Sequence, residues 1–530
     1  MFVCQKKITP LLITAFTLLL NPPTQLEGTF SLPVDLSVLA SDISFPHLAM
    51  NEAGDAVSIW QFNNGTNSSI QAAALTSLNK NWSAPVIISE KGKEASNPSV
   101  AIGPGGYAVA VWASYDGVSS AIQTATYSPD GNWSTPLTLS SQGNRIPQTG
   151  VAIDGLGNAI AVWELDNHAG STVQTAWLPF GGVWSAPANI SSPGTVAIAP
   201  VLAISPNGFA AVAWEEFSNG NYAVVVSASQ FGRSWSEPAI LSPIGVNATE
   251  VAIAVDNKQR TAVVWKQGSG FDIHASLSSA LGTWSAPAAL SVPGFGGSSP
   301  QVSLYKNGQA LVVWATVFSH KQVVQASTIR EGCAPSAPID LSAPGFAYET
   351  SIAVDPCDSA IVAWSQYNGV NSVVQCAVLP VNGVWSEPID ISNSGEDAIG
   401  SVIGIDAQGE AIVAWRKNIS DSSCSIQASQ DFKALPTIPT APKKFAGRVV
   451  KGRFSDSNFC IHRLEWEPSA DPAVVAYHLY RNNQLIAVIP AAGPFNFDDR
   501  FRNNRLQDIY RLTAVNAAEL ESNSLIVSLQ

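Results

Sequence analysis

The chain runs to 530 residues with 13% charged and 46% hydrophobic side chains, which excludes a disordered protein and leaves room for several domains or one long repeat array. Its net charge of −13 is uneven: from residue 440 on, 11 Lys/Arg meet 9 Asp/Glu, whereas residues 8–439 carry 14 against 31, a net −17. A surface of that sign repels phosphate backbones, and no basic stripe offsets it, so nucleic-acid binding is excluded.

The N-terminus, MFVCQKKITPLLITAFTLLLNPP, places Lys6 and Lys7 before a short apolar run from Ile8 to Leu20, followed by Pro22-Pro23. That is the layout of a secretory signal peptide, assigned to residues 1–28, and it predicts a secreted, periplasmic or surface-exposed mature chain with no membrane insertion after cleavage. The apolar run is short for a membrane span. Beyond it lie five cysteines, Cys333, Cys357, Cys376, Cys424 and Cys460. The odd number leaves at least one thiol unpaired in a monomer, and none has C-x-x-C spacing. The histidines are scattered singly, so neither a metal nor a cofactor is expected.

From residue 29 to 435 the chain repeats. A motif ending in tryptophan recurs at Trp60, Trp112, Trp163, Trp214, Trp265, Trp314, Trp364 and Trp415, at gaps of 49 to 52 residues. Within one copy, residues 151–191, VAI is a short strand, DGLGN a glycine turn, AIAVW a second strand and ELDNHAGS a polar loop. TVQTAWL is a third strand, PFGG a turn and VWSAPANIS a fourth strand. Four short antiparallel strands per copy, eight times over, predict an all-β chain folded as an eight-bladed β-propeller. The eighth copy lacks a fourth strand, but SLPVDLS at 31–37 matches SAPIDLS at 336–342. The N-terminal strand is therefore expected to complete the last blade and close the ring. The turns after the first and third strands share one face. The loops after the second strands share the other face with the connections between blades.

A proline-marked linker, 436–444, leads to a different pattern over 445–530. HRLEWEP, VAYHLYRNNQLIAVI and YRLTAVNAAELES read as strands of an immunoglobulin-like sandwich. With Trp466 as core tryptophan and Tyr510 at a tyrosine corner, this part resembles a fibronectin type III domain.

The repeats resemble secreted bacterial propellers related to the sialidase-type Asp-box (BNR) superfamily. Trp82, Trp133, Trp184, Trp235, Trp284 and Trp385 take the Asp-box tryptophan position, and SPDGNW at 128–133 is the nearest approach to the full motif. Sialidase chemistry implies three convergent arginines, a Tyr/Glu pair and an Asp acid. The propeller offers Arg145 (in an RIP echo of a sialidase signature), Arg233, Arg260, Arg330 and Arg416, with Arg233 and Arg260 expected on the turn face. A quinoprotein reading fails because its Thr-Gly docking pair is missing. Single carboxylates at Asp154, Asp256, Asp355 and Asp406 read as turn-stabilising rather than calcium-binding.

The loop face is the remaining place for function. Loops after the repeat tryptophan set an aromatic beside Asn, Asp or Gly, as a sugar-binding surface does: Phe62, Tyr115-Asp116, Phe217, Phe271, Phe318 and Tyr367-Asn368. These observations predict a non-catalytic binding or adhesion protein that recognises a glycan or an extracellular protein through that face. The competing reading is a sialidase-like glycoside hydrolase or lyase with a divergent active site, which carboxylates clustered on the loop face, roughly 5 to 10 Å apart across a pocket, would favour.

Overall fold

The second strand of each repeat, such as AVSIW or AIAVW, alternates small and branched residues that are buried on both sides, and its tryptophan is 0% exposed in all eight copies. A strand of this kind must be sandwiched between neighbours. A computed structural model describes residues 30–530 apart from 45, 79, 145–147, 167–169, 281, 318–321, 382, 421–422, 432–438, 455–456, 472–473, 501, 503–506 and 517–520. It divides into two compact units, residues 1–431 and 432–530. Among the described residues the helical content is one 3-10 turn, Pro104–Gly106.

The first unit is eight antiparallel sheets of propeller-like blades. Blade 4, for example, runs Val196–Ile204, Phe209–Ser218, Asn221–Gln230 and Ala239–Ile240 in spatial order. Blade 5 follows with Ala248–Val255, Thr261–Gln267, Asp272–Leu277 and Ala288–Ala289. In blade 1 the first strand is split into Asp42–Ile43 and His47–Met50. The first strands of successive blades touch one another all the way round, blade 8 against blade 1 included, so they form the inner wall. Eight apolar clusters fill the eight interfaces between blades, each seating the tryptophan of one blade against the second and third strands of the blade before it.

Closure is made by the N-terminal segment. Val34–Asp35 pairs antiparallel with the third strand of blade 8, Val34 opposite Ala428 and Asp35 opposite Gln427. Two serines reproduce bonds found in the other blades. Ser342 Oγ accepts the Val324 N–H at 2.9 Å, and Ser37 Oγ accepts the Ile426 N–H at 2.8 Å. Likewise Ser336 Oγ accepts from Thr328 at 2.9 Å, and Ser31 Oγ accepts from Gln430 at 3.2 Å. Leu36 is buried in the same interface as Trp60 and Ile426.

On the turn face, Asp154 Oδ1 accepts the N–H groups of Leu156 and Asn158, both at 2.9 Å, and Asp355 and Asp406 bind their own turns in the same way. Each carboxylate is thus spent on its turn. Gly157 holds φ +85° there, and a Cβ would lie 2.7 Å from the Phe180 ring.

The second unit has two sheets. Lys443–Phe454, Ser457–Glu467 and Asn496–Arg500 form one, and Gln484–Pro490, Val474–Arg481, Asp508–Asn516 and Leu525–Leu529 form the other. Trp466, Tyr477, Leu479, Tyr510 and Leu512 make its core. The Tyr510 hydroxyl, buried, donates to the Asp499 carboxylate at 2.7 Å. All five described cysteines carry free thiols: Cys376, Cys424 and Cys460 buried, Cys333 and Cys357 exposed.

Candidate functional site

A residue that follows the buried tryptophan points to the opposite side of the strand, into the next interface. In blades 3, 4, 5 and 8 that residue is charged: Glu164, Glu215, Lys266 and Arg416. The inner strands are bulged at the same end. Asn97, Ala199, Glu250, Ser299 and Glu349 sit at φ between 50° and 55°, and Gly400 at 68°, each within a break in register with the second strand. A bulge turns its N–H off the ladder, leaving a donor to be satisfied.

Carboxylates satisfy several of them. Glu164 Oε2 accepts the Ala199 N–H at 3.2 Å, Glu215 Oε1 accepts Glu250 N–H at 2.7 Å, and Glu250 Oε2 accepts Ser299 N–H at 2.8 Å. Across the ring, Glu349 Oε2 accepts from Gly400 N–H at 2.8 Å and from the Ser365 hydroxyl at 3.2 Å. The result is a chain of carboxylates around the loop-face mouth of the inner wall, densest on blades 3 to 5. Glu250 also takes the ammonium of Lys266, which lies 5.1 Å from the centre of the Phe271 ring.

Glu215 is 7% exposed. Burial is the main force that raises its carboxyl, to about 7. The Glu250 N–H bond opposes the rise, the Glu250 charge adds to it, Lys266 opposes it and Glu164 adds a little more. A carboxyl poised near neutrality can give a proton at pH 7. Burial raises Glu349 too, against its two hydrogen bonds.

Blades 4 and 5 also depart from the repeat elsewhere. In blades 1 to 3 the tryptophan Nε1 donates to the glutamine opposite on the third strand: Trp60 to Gln71 at 3.2 Å, Trp112 to Gln123 at 3.3 Å and Trp163 to Gln174 at 3.0 Å. Val225 and His274 stand there in blades 4 and 5. Trp214 bonds Glu216 instead at 3.1 Å, and Trp265 bonds Gln267 at 2.9 Å.

The residues expected from sequence divide in two. Phe217, 42% exposed, lies two positions beyond Glu215 on the same side of the strand and packs on Tyr222 with ring centres 5.2 Å apart. Phe271, 37% exposed, adjoins Lys266. These two flank the carboxylates. The others are not brought to them. Phe62 is partly buried against the interface of blades 8 and 1. Tyr115 donates its hydroxyl to Gly117 at 2.8 Å, and Tyr367 meets Phe346 edge to face. Asp116 and Asn368 each accept two N–H groups of their own turns, and those bonds hold Asp116 below the ordinary carboxylate range. Phe318 lies outside the described residues.

No arginine triad forms among the described residues. Arg260 is tied on the turn face to Asp256 and to the carbonyls of Lys306 and Asn307. Arg233 and Arg330 also sit in turns of that face, Arg416 alone reaches the mouth, and Arg145 is outside the described residues. Among the described residues no group of three His, Cys, Asp or Glu is set to hold a metal.

No family model matches the chain, and no curated protein matches it. Solved structures match its fold. An ulvan lyase of a polysaccharide lyase family, bound to -[GlcA(1-4)Rha3S]-, is 11% identical over 64% of this chain and 91% of its own, with TM-score 0.42. A Penicillium chrysogenum alpha-L-arabinanase complexed with arabinobiose is 15% identical over 57% and 98%, with TM-score 0.36. A leech intramolecular trans-sialidase is 10% identical over 74% and 68%, with TM-score 0.35. At such identities the likeness is one of fold.

The expectation of a non-catalytic binding protein is corrected. Its ground was a missing catalytic constellation, yet the mouth holds clustered carboxylates. The sequence signal was present in the charges directly after three consecutive tryptophans. The bulges that bring Glu250 to Glu215 had no such signal.

Proposed function

We propose that the protein is a glycan-processing enzyme, a glycoside hydrolase or lyase, whose reaction takes place at the loop-face mouth on blades 4 and 5. One observation carries the reading: Glu215, buried and raised to about 7, hydrogen-bonds the backbone of Glu250, a second carboxylate that Lys266 holds in place. Glu215 Oε1 is engaged by the Glu250 N–H, leaving Oε2 to carry the proton that goes to the leaving-group oxygen. Glu250 accepts the proton of the attacking nucleophile or of the substrate carbon. Phe217 and Phe271, both partly exposed, suit stacking on sugar rings. The reading stands on this site and not on likeness of fold.

In the same proposal residues 1–28 act as a secretory signal, and residues 445–530 form a fibronectin type III-like module. The three-plus-four arrangement of antiparallel strands in the second unit supports that module. The test is product release from a glycan panel by the native chain and by Glu215→Gln. Loss of about a hundredfold to ten-thousandfold in kcat/KM with folding intact is expected. A variant with native turnover overturns the assignment.

A further inference from the structure

Resting on that reading, we infer that the substrate is a glycan without carboxylate or sulfate groups, built of neutral or amino sugars, and that it is hydrolysed rather than eliminated. The charge inventory of the mouth leads there. Among the described residues, the cations carried by the first and second strands at this end are Lys266, Arg416 and Lys417. Each is already matched: Lys266 with Glu250, Arg416 with Asp42 at 3.3 Å, and Lys417 with Glu396 at 2.7 Å. Beside the paired Glu250 stand Glu164, Glu349 and the proton-bearing Glu215, all fixed by their bulge bonds and unable to swing away without orphaning a backbone N–H.

An acidic sugar stacked on Phe217 or Phe271 would set its own anion among these carboxylates. To reach one of these three cations it would have to break an ion pair, leaving Glu250, Glu396 or the exposed Asp42 without its partner. The field of the repeat region, net −17 over residues 8–439, opposes its approach as well. A neutral sugar meets neither obstacle, and an ammonium-bearing one is drawn in.

The same inventory separates the two bond-breaking routes. In elimination a base takes the proton on the carbon beside a uronate carboxylate, that electron pair becomes a C=C bond, and the neighbouring C–O bond breaks. The carbanion needs the uronate charge neutralised, and among the described residues the three cations on the first and second strands at this end are already paired. Hydrolysis needs only what is present. Glu215 protonates the glycosidic oxygen as the C1–O bond breaks, water adds to C1, and the proton of that water passes to a carboxylate such as Glu250.

The experiment uses the full chain on a panel of neutral polymers (arabinan, β-glucan, galactomannan), chitosan, and acidic glycans (ulvan, polygalacturonate, sialyllactose). New reducing ends and unsaturated products are both followed. New reducing ends without unsaturated product, from neutral polymers or chitosan, at kcat/KM roughly tenfold or more above any acidic glycan, is the expected result. Comparable turnover of an acidic glycan, or unsaturated ends, overturns the inference while leaving the catalytic reading intact. If the native chain turns over nothing, the catalytic reading fails, and charge selection is read from oligosaccharide binding to Glu215→Gln. Binding of neutral over acidic oligosaccharides supports selection, and equal or stronger acidic binding, or none of either, overturns it. Glu164→Gln keeps the acceptor for Ala199 while removing a charge, so acidic oligosaccharides should gain affinity about threefold or more relative to neutral ones. An unchanged ratio counts against the inference.

Discussion

At the scale of single residues, Glu215 and the repeat tryptophans make opposite use of the same strand. Trp163 faces the preceding blade and is wholly buried, so Trp163→Ala should cost about 3 to 5 kcal/mol in a denaturant melt. Gln174→Ala, which removes the acceptor of its indole N–H together with a donor to Asn189 Oδ1, should cost about 1 to 3 kcal/mol. Glu215 faces the following blade with a carboxyl raised from 4.5 to about 7. The fold favours its protonated form, so its stabilising contribution is whole below pH 4.5 and is lost as pH rises through about 7. Glu215→Gln should therefore be more stable than the native chain at about pH 8, by on the order of 3 kcal/mol, and should match it at about pH 4. Melts at the two pH values check this, and a difference that does not change with pH would refute it.

At the scale of elements, the blades could be read from sequence because the constraint on them is periodic. Eight sheets of one size need one large apolar residue at one place in each, and the tryptophan spacing records it. The closing strand was legible for the same reason: Ser31 and Ser37 make the bonds of Ser336 and Ser342, so the chain repeats the letters along with the geometry. Leu36→Ala should cost about 2 to 5 kcal/mol, and removal of residues 30–37 should cost more, because it strips the third strand of blade 8 of its outer partner. Thermal melts of the two variants check the order, and a deletion as stable as the native chain would show that the segment is no latch. The candidate site was legible only in part. Glu164, Glu215 and Lys266 follow a tryptophan directly, but a charged residue on a strand reads as solvent-facing until both faces are known to be covered. Glu250 was hidden altogether, since a bulge at a non-glycine residue is set by the packing of neighbouring blades and leaves no residue type behind. The loop aromatics were found by composition, which cannot tell Phe217, beside Glu215, from Tyr115, which bonds its own turn.

At the scale of the whole molecule, the ring does two jobs with one geometry. Radial stacking buries the tryptophans and removes sheet edges, and it gathers the ends of eight second strands around one mouth, where charges from adjacent blades meet. The second unit has its own core around Trp466, Tyr477 and Tyr510, so a fragment of residues 439–530 should fold alone, shown by dispersed amide resonances and a cooperative melt. A fragment without either would mean that the core depends on the propeller.

The pH profile of glycan turnover by the native chain and by Glu215→Gln tests the central claim most directly. A catalytic Glu215 predicts native activity that falls as pH rises past about 7, and a variant that has lost both the activity and that limb. A variant that keeps the native rate and the native alkaline limb would contradict it.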